Sequence, residues 1–297
     1  RKNSTSLPDE GYAGEYIAEW AAVMPDGLSL QETIEWGCNH ARQDQQETLE
    51  QLGIYFDTWF SEKSMIENGE IDEVLGDLSS EKAAYQKDGA TWLAATRFSD
   101  DKDRVLVKSD GELTYLTPDI AYHRNKYSRA DWLINVWGAD HHGYIARMKA
   151  AMSALGEDPS ALTVQITQLV KLVRSGEEVK LSKRQGDIIE LRSIINEIGA
   201  DATRFMYLLQ SVDSKQTFDL EIAASRAMEN PVYYVQMAHA RLCSIQRNAA
   251  ESGFTQKNLT LLDLEILSHD RETEILRQLQ LLPEIIALAA RELAPHK

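Results

Sequence analysis

WLINVWGADHHGYIARMKAAMSAL, residues 132–155, carries three different signals in a row. Residues 132–137 form a short, almost continuous apolar run, the pattern of a central parallel strand covered on both faces. GADHHG (138–143) interrupts it with two glycines and three polar residues. YIARMKAAMSAL (144–155) then returns to helical spacing. Strand, loop and helix in that order are the unit of an α/β sheet, and ligands of such sheets bind at the C-terminal ends of the strands. A further strand pattern covers 162–173, and Ser175-Gly176 turns it into a basic loop. Upstream, Thr117-Pro118 has the form of an N-cap followed by proline at the first helical position. A Rossmann-like sheet is the architecture these residues predict.

Outward from this centre the chain is mostly helical. Residues 11–24 and 29–52 read as helices broken at Pro25-Asp26-Gly27. GIYFDTWF (53–60) is β-prone, and Ser61 is placed to cap a helix over 62–68. A helical stretch near 70–86 precedes a predicted hairpin whose arms are TWLAATRF (91–98) and VLVKSDGELTY (105–115). From about 190 the pattern stays helical. Gly199 is placed to end one helix and Asp201 to cap the next. Asn230-Pro231 repeats the cap-then-proline signature, and 270–293 forms a last amphipathic helix. A boundary at 221/222 separates the α/β part, 1–221, from the helical part, 222–297.

Of the 297 residues 43% are hydrophobic and 26% charged, the balance of a globular protein. No apolar run is long enough to span a bilayer, and the opening RKNSTSLPDE lacks the apolar stretch of a signal peptide. Cys38 and Cys243 are the two cysteines. Without a CxxC pair they read as buried free thiols in a reducing compartment rather than as metal ligands. The net charge of −16 argues against a protein that coats nucleic acid non-specifically. One segment runs the other way: over 171–184, Lys171, Arg174, Lys180, Lys183 and Arg184 outnumber Glu177 and Glu178. Such a local positive loop suits phosphate, although a solvated surface run is the plainer meaning.

Three groups of residues are able to carry chemistry. Val179-Lys180-Leu181-Ser182-Lys183-Arg184 follows a strand and a glycine turn. Its lysines are compact point charges able to close over a triphosphate and to bind the charge that grows on a departing pyrophosphate. Trp137 to Gly143 lies at the end of the apolar strand. Gly138 there permits close backbone approach, and Asp140 can accept from ribose hydroxyls or a cationic substrate. His141 and His142 have no further ligand at metal-binding spacing nearby, so no metal site is expected; backbone or substrate hydrogen bonds are their plainer role. The third group is Tyr115 to Ala121. Tyr115 is expected to end a strand, with Asp119 in the first helical turn, both facing one cleft. A carboxylate at that position is favoured by the helix dipole alone, and it also matches the rigid donor fork of a guanidinium.

YLTPDIAY (115–122), NVWGADHHGY (135–144), VKLSKRQG (179–186) and NPVYYVQMAHAR (230–241) together resemble the arginyl-tRNA synthetases of the bacterial type, members of the class I aminoacyl-tRNA synthetases. The resemblance covers nearly the whole chain in order and spacing. It implies a Rossmann-like class I catalytic domain followed by an all-α anticodon-binding domain, each present in part. It implies activation of arginine with ATP to arginyl-adenylate and transfer to tRNA(Arg). Lys180, Ser182 and Lys183 then belong to the KMSKS-type loop, with Leu181 where methionine is usual, and Lys183 matters most. Gly138, Asp140, His142, Lys180 and Lys183 fall at ATP-binding positions, and Tyr115, Asp119 and Asp140 at arginine-binding ones. The resemblance further implies ATP with Mg2+ as the substrate complex, no tightly bound cofactor, no membrane, and a cytoplasmic, monomeric parent enzyme.

One departure is large. Class I enzymes carry a His-x-Gly-His signature at the first strand-to-helix turn, and none of the seven histidines here forms one. The chain is therefore expected to start beyond that motif, to lack the family's N-terminal tRNA-elbow domain, and to end partway through the helical domain. By itself it is expected to be inactive. Two other readings compete with this one. Another ATP-using class I relative, such as a cysteinyl or glutaminyl enzyme, is the first; a cysteinyl enzyme would show zinc-ligand cysteines, which are lacking here. A non-catalytic tRNA- or protein-binding module that keeps the fold is the second.

Overall fold

The structure is a computed structural model that describes residues 14–179, 189–254 and 265–297. It divides into two compact units. One is Phe56–Leu169 with Val212–Ser214; the other is the described part of Arg1–Tyr55, Val170–Ser211 and Lys215–Lys297.

The chain enters the second of these with helices α1 (Glu15–Val23) and α2 (Leu30–Gln51). Ser29 caps α2 in a reciprocal box with Glu32: the Ser29 hydroxyl accepts from the Glu32 N–H at 3.3 Å, and the Ser29 N–H donates to Glu32 Oε2 at 2.8 Å. Residues 53–60, expected as β-prone, form no strand. Their aromatic rings find packing instead of a ladder: Phe56 meets Trp59 edge to face at 5.4 Å, and Phe60 stacks on Tyr122 at 4.5 Å.

Phe56–Leu169 holds the larger α/β arrangement. Helices α3 (Glu62–Glu67) and α4 (Glu70–Ser80) come first. Ile71, Val74 and Leu78 of α4 are buried at helical spacing. Strands β1 (Ala84–Lys87), β2 (Ala90–Leu93) and β3 (Arg104–Val107) make an antiparallel meander in that order. The helix expected to 86 thus stops at Ser80, and the predicted hairpin gains a strand on its N-terminal side. Asp88 and Gly89, with φ of +52° and +77°, form the tight β1–β2 turn that this dipeptide favours. The arm expected over 91–98 leaves the sheet at Leu93; Ala95–Phe98 coil into a 3-10 turn.

Helix α5 (Leu116–Tyr127) follows. Thr117 is inside its first turn and is not the cap: it is fully buried, and its hydroxyl donates to the Leu106 carbonyl at 2.8 Å. The N-cap position belongs to Tyr115. β4 (Leu133–Gly138), α6 (Tyr144–Ala154) and β5 (Leu162–Thr167) form a parallel crossover, in register from Leu133 opposite Leu162 to Gly138 opposite Thr167. Among the described residues β4 pairs with β5 alone. Leu133 and Asn135 are buried, while Ile134 and Val136 are 43% and 65% exposed. The strand expected to be central therefore has one covered face and, among the described residues, one unpaired edge. Beneath it lie Leu78, Leu93, Leu106, Ile120, Met148, Met152 and Leu162, all fully buried.

The strand expected over 162–173 is two strands in different sheets. β6 (Lys171–Arg174) pairs antiparallel with β7 (Glu177–Glu178), across Ser175 and Gly176 at φ +53° and +79°. Helices α7 (Leu191–Ile198) and α8 (Ala200–Leu208) meet at Gly199, whose φ of +85° ends the first. Asp201 lies within α8 and caps nothing; Gly199 holds the cap position. β8 (Thr217–Asp219) runs parallel to β6, with Leu172 opposite Phe218. Phe218, Leu220, Ile194 and Met206 share this unit's core. From Leu220 the described elements are helical: α9 (Leu220–Ala224), α10 (Pro231–Glu251) and α11 (Asp270–Arg291). Asn230 caps α10 as its sequence predicts, accepting from the Val232 N–H at 3.0 Å. Neither cysteine is a buried thiol: Cys38, on polar α2, is exposed, and Cys243 is half-buried beside His239 on α10.

Candidate functional site

The candidate site is built where the start of α5 meets the residues that follow β4, all within Phe56–Leu169. Tyr115 is 93% exposed at the N-cap position of α5, so it does not end a strand as expected. Asp119 lies one turn further on, on the same side of the helix. Its carboxylate is half-buried, and Oδ2 accepts from the Tyr144 hydroxyl at 2.8 Å. The position near the helix N-terminus favours the negative charge.

On the other side Gly138 ends β4, and Ala139–His141 coil into a single 3-10 turn. A Cβ at Gly138 would sit 2.7 Å from Asp140 Oδ1, so any side chain there would have to displace that carboxylate. The Asp140 side chain is 82% exposed and lies 3.6 Å from His141 Nε2. His142 is exposed and, among the described residues, enters only backbone bonds, its N–H to Ala139 at 3.4 Å and its carbonyl from Ile145 at 3.3 Å. Tyr144, the first residue of α6, joins the two sides. It bonds Asp119 while its ring lies 5.8 Å from Trp137 and 6.5 Å from His141. The Arg147 guanidinium stacks over the same ring at 4.8 Å. Its Nε is buried without a hydrogen-bond partner among the described residues.

Behind Asp119 the polar contacts continue inward. His123 Nδ1 donates to the Asp119 carbonyl at 2.7 Å, Asn135 Nδ2 donates to His123 Nε2 at 2.7 Å, and Lys126 Nζ donates to Asn135 Oδ1 at 3.0 Å. Burial pushes His123 down to about 4, with the neighbouring Lys126 charge adding to it. Burial also lowers Lys126 to about 8. Tyr144 is pushed up, first by burial and then by its bond to Asp119. At neutral pH the imidazole is therefore neutral and the phenol keeps its proton to donate.

Five expected site residues thus fall on two adjoining segments: Tyr115 and Asp119 on one, Gly138, Asp140 and His142 on the other. Lys180, Ser182 and Lys183 lie outside the described residues. Tyr144, His123, Asn135 and Lys126 were not singled out from the sequence. Asn135, the one polar residue inside the apolar run at 132–137, and His123, four residues after Asp119, were the available signals. No group of three His, Cys, Asp or Glu residues among those described is arranged to hold a metal ion, and no described helix is long and apolar enough to cross a membrane.

The family model for the catalytic domain of class I tRNA synthetases (R) matches residues 28–270. The arginine–tRNA ligase of Caldanaerobacter subterraneus subsp. tengcongensis is 44% identical over 304 residues, which cover 98% of this chain and 54% of that protein. The Bacillus subtilis arginine–tRNA ligase is 44% identical over 303 residues, with the same coverage of 98% and 54%. The chain thus spans about half the length of the curated relatives it matches. Among solved structures, one from Campylobacter jejuni, provisionally named an arginyl-tRNA synthetase, superposes with a TM-score of 0.87 at 34% identity, covering 98% of this chain and 65% of that one. The Thermus thermophilus arginyl-tRNA synthetase shares the fold, with a TM-score of 0.70 at 19% identity over 94% of this chain and 57% of that one.

Proposed function

The chain belongs to the class I arginyl-tRNA synthetase catalytic-domain family, and we propose from that premise that it is part of an arginine–tRNA ligase. In the proposed reaction the arginine carboxylate attacks the α-phosphate of ATP, supplied as its Mg2+ complex. Pyrophosphate leaves and arginyl-adenylate forms. A ribose hydroxyl at the 3′ end of tRNA(Arg) then attacks the activated carbonyl, and AMP leaves. Asp119 and Tyr115 take the guanidinium. Asp140 faces the substrate ammonium and the ribose, Gly138 lets the nucleotide approach the backbone, and His142 stands beside it. Lys180, Ser182 and Lys183 neutralise the charge that develops on the phosphates. Residues 1–221 serve as the catalytic part and 222–297 as the start of the anticodon-binding part. The enzyme is a cytoplasmic monomer. The isolated chain is inactive in arginine activation, because its 297 residues include no His-x-Gly-His to hold the ATP phosphates.

The observation that carries this reading is the Asp119 carboxylate. It sits at a helix N-terminus, half-buried, with Oδ2 fixed by Tyr144 and Oδ1 free of any other bond among the described residues. That is a prepared acceptor for a planar cation. Calorimetric titration of the chain with arginine tests it. Asp119→Asn, which keeps the shape, should weaken arginine binding by about 1.5–3 kcal/mol, the scale of a hydrogen bond to a charged group, and leave ATP binding alone. Equal arginine affinity in the two chains would remove the guanidinium role.

A further inference from the structure

The two sides of the candidate cleft hang on different elements, Asp119 on α5 and Asp140 behind β4. One buried polar chain joins those elements: Lys126 to Asn135, Asn135 to His123, His123 to the Asp119 carbonyl, at 3.0, 2.7 and 2.7 Å. The direction of every link is determined. A carbonyl only accepts, so His123 Nδ1 carries the ring proton. Nε2 is then an acceptor, and Asn135 must face it with its NH2 group. That leaves Asn135 Oδ1 for the ammonium of Lys126, which only donates. His123 and Asn135 are 3% and 5% exposed, so water is not at hand to replace a lost link. The apolar contacts of Ile120 and Ala121 would tolerate a small slide of α5; these bonds, which weaken steeply when misaligned, do not.

We propose that His123, held between Asp119 and Asn135, is a positioning residue that fixes the Asp119 turn of α5 against β4. Tyr144 then sets the direction of the carboxylate, and His123 sets where the backbone carrying it stands. The proposal rests on the arginine-binding reading of Asp119 for its functional meaning and on the hydrogen-bond geometry for its structural one.

Nitrogen NMR of the labelled chain at neutral pH reads the tautomer directly, and His123 should be the neutral Nδ1–H form. Two variants then cut the chain of bonds. Asn135→Leu removes both of its links. Asn135→Ala removes both links as well and places no bulky side chain there, so it stands in if the leucine chain folds poorly. In each, the Asp119 carboxyl carbon resonance should shift. Arginine affinity should fall about tenfold, as for the loss of one well-placed polar contact, while ATP affinity stays unchanged. An Nε2–H tautomer or an imidazolium overturns the proposal. So does an unmoved Asp119 resonance in both variants, or an equal loss of arginine and ATP affinity. If the unsubstituted chain binds no arginine, the arginine-binding reading fails for this chain. The tautomer and the Asp119 resonance then still decide the positioning role, a shift supporting it and a fixed signal ending it.

Discussion

α5 and α11 are both helices with an apolar stripe, and they are held by opposite means. α5 has 12 residues and buries five of them, Leu116, Thr117, Ile120, Ala121 and His123. α11 has 22 residues and buries none. Ile275, Leu279 and Ile286 of α11 are 60%, 57% and 59% exposed. What holds α11 is local: the His269 and Glu272 capping box, acids in the first turn and Arg291 in the last. Pro283 inside it works against those devices. What holds α5 is tertiary, and that is why α5 can serve as the base of a site. A side chain is aimed with precision only when its helix is fixed by packing and by directional bonds to other elements.

The largest test of that contrast is a matched pair of truncations. Ile120→Ala opens a cavity at a fully buried position and should cost about 2–5 kcal/mol. Ile286→Ala, on an exposed stripe, should stay within about 0.5 kcal/mol. Hydrogen exchange of the α5 and α11 amides reads both. Comparable losses at the two positions would mean that α11 is packed after all.

A second test uses pH. Burial holds folded His123 down at about 4 against an ordinary 6.5, so the unfolded chain takes up this proton first. The stabilisation is complete above pH 6.5, is lost as pH falls through that window, and is exhausted near 4. It amounts to about 3 kcal/mol. Urea unfolding across the window should show this loss in the unsubstituted chain and a shallower one in His123→Gln. Equal slopes would place the imidazole in contact with water. Of the changes at buried positions, the smallest effect is expected at Thr117→Val. Removing the buried hydroxyl orphans one lobe of the Leu106 carbonyl and should cost about 1 kcal/mol. A neutral result would return Thr117 to the surface cap it resembles in sequence.

Thr117 also shows why some of this was legible and some was not. The strand β4 and the helix α6 follow from local period and glycine placement and stand where the sequence puts them, whereas α5 begins ahead of the expected cap and the strand expected over 162–173 is divided after Thr167. Thr117-Pro118 was misread because its hydrogen-bond partner, Leu106, lies 11 residues away and no local pattern reports it. β1 was missed because AYQK has no apolar run; only Asp88-Gly89 marked the turn. GIYFDTWF has strand composition but no described strand beside it to bond. At the site, Tyr115, Asp119, Gly138, Asp140 and His142 were found as residue types in suggestive positions. Tyr144, His123 and Asn135 were not, because each acts through a partner on another element, and pairing between elements is a property of the packed chain.

The edge of β4 that no described strand pairs also bears on how copies of this chain behave together. Val136 beside it is 65% exposed, and an open strand edge is a template for pairing. Each copy also carries a net charge of −16. Repulsion between like-charged copies opposes such pairing, and its reach is the Debye length, about 30 Å at 0.01 M salt and about 8 Å at 0.15 M. Ionic strength, alongside dilution, then governs whether the chain stays dispersed. Light scattering at fixed protein concentration should rise with added salt and fall again when it is dialysed away.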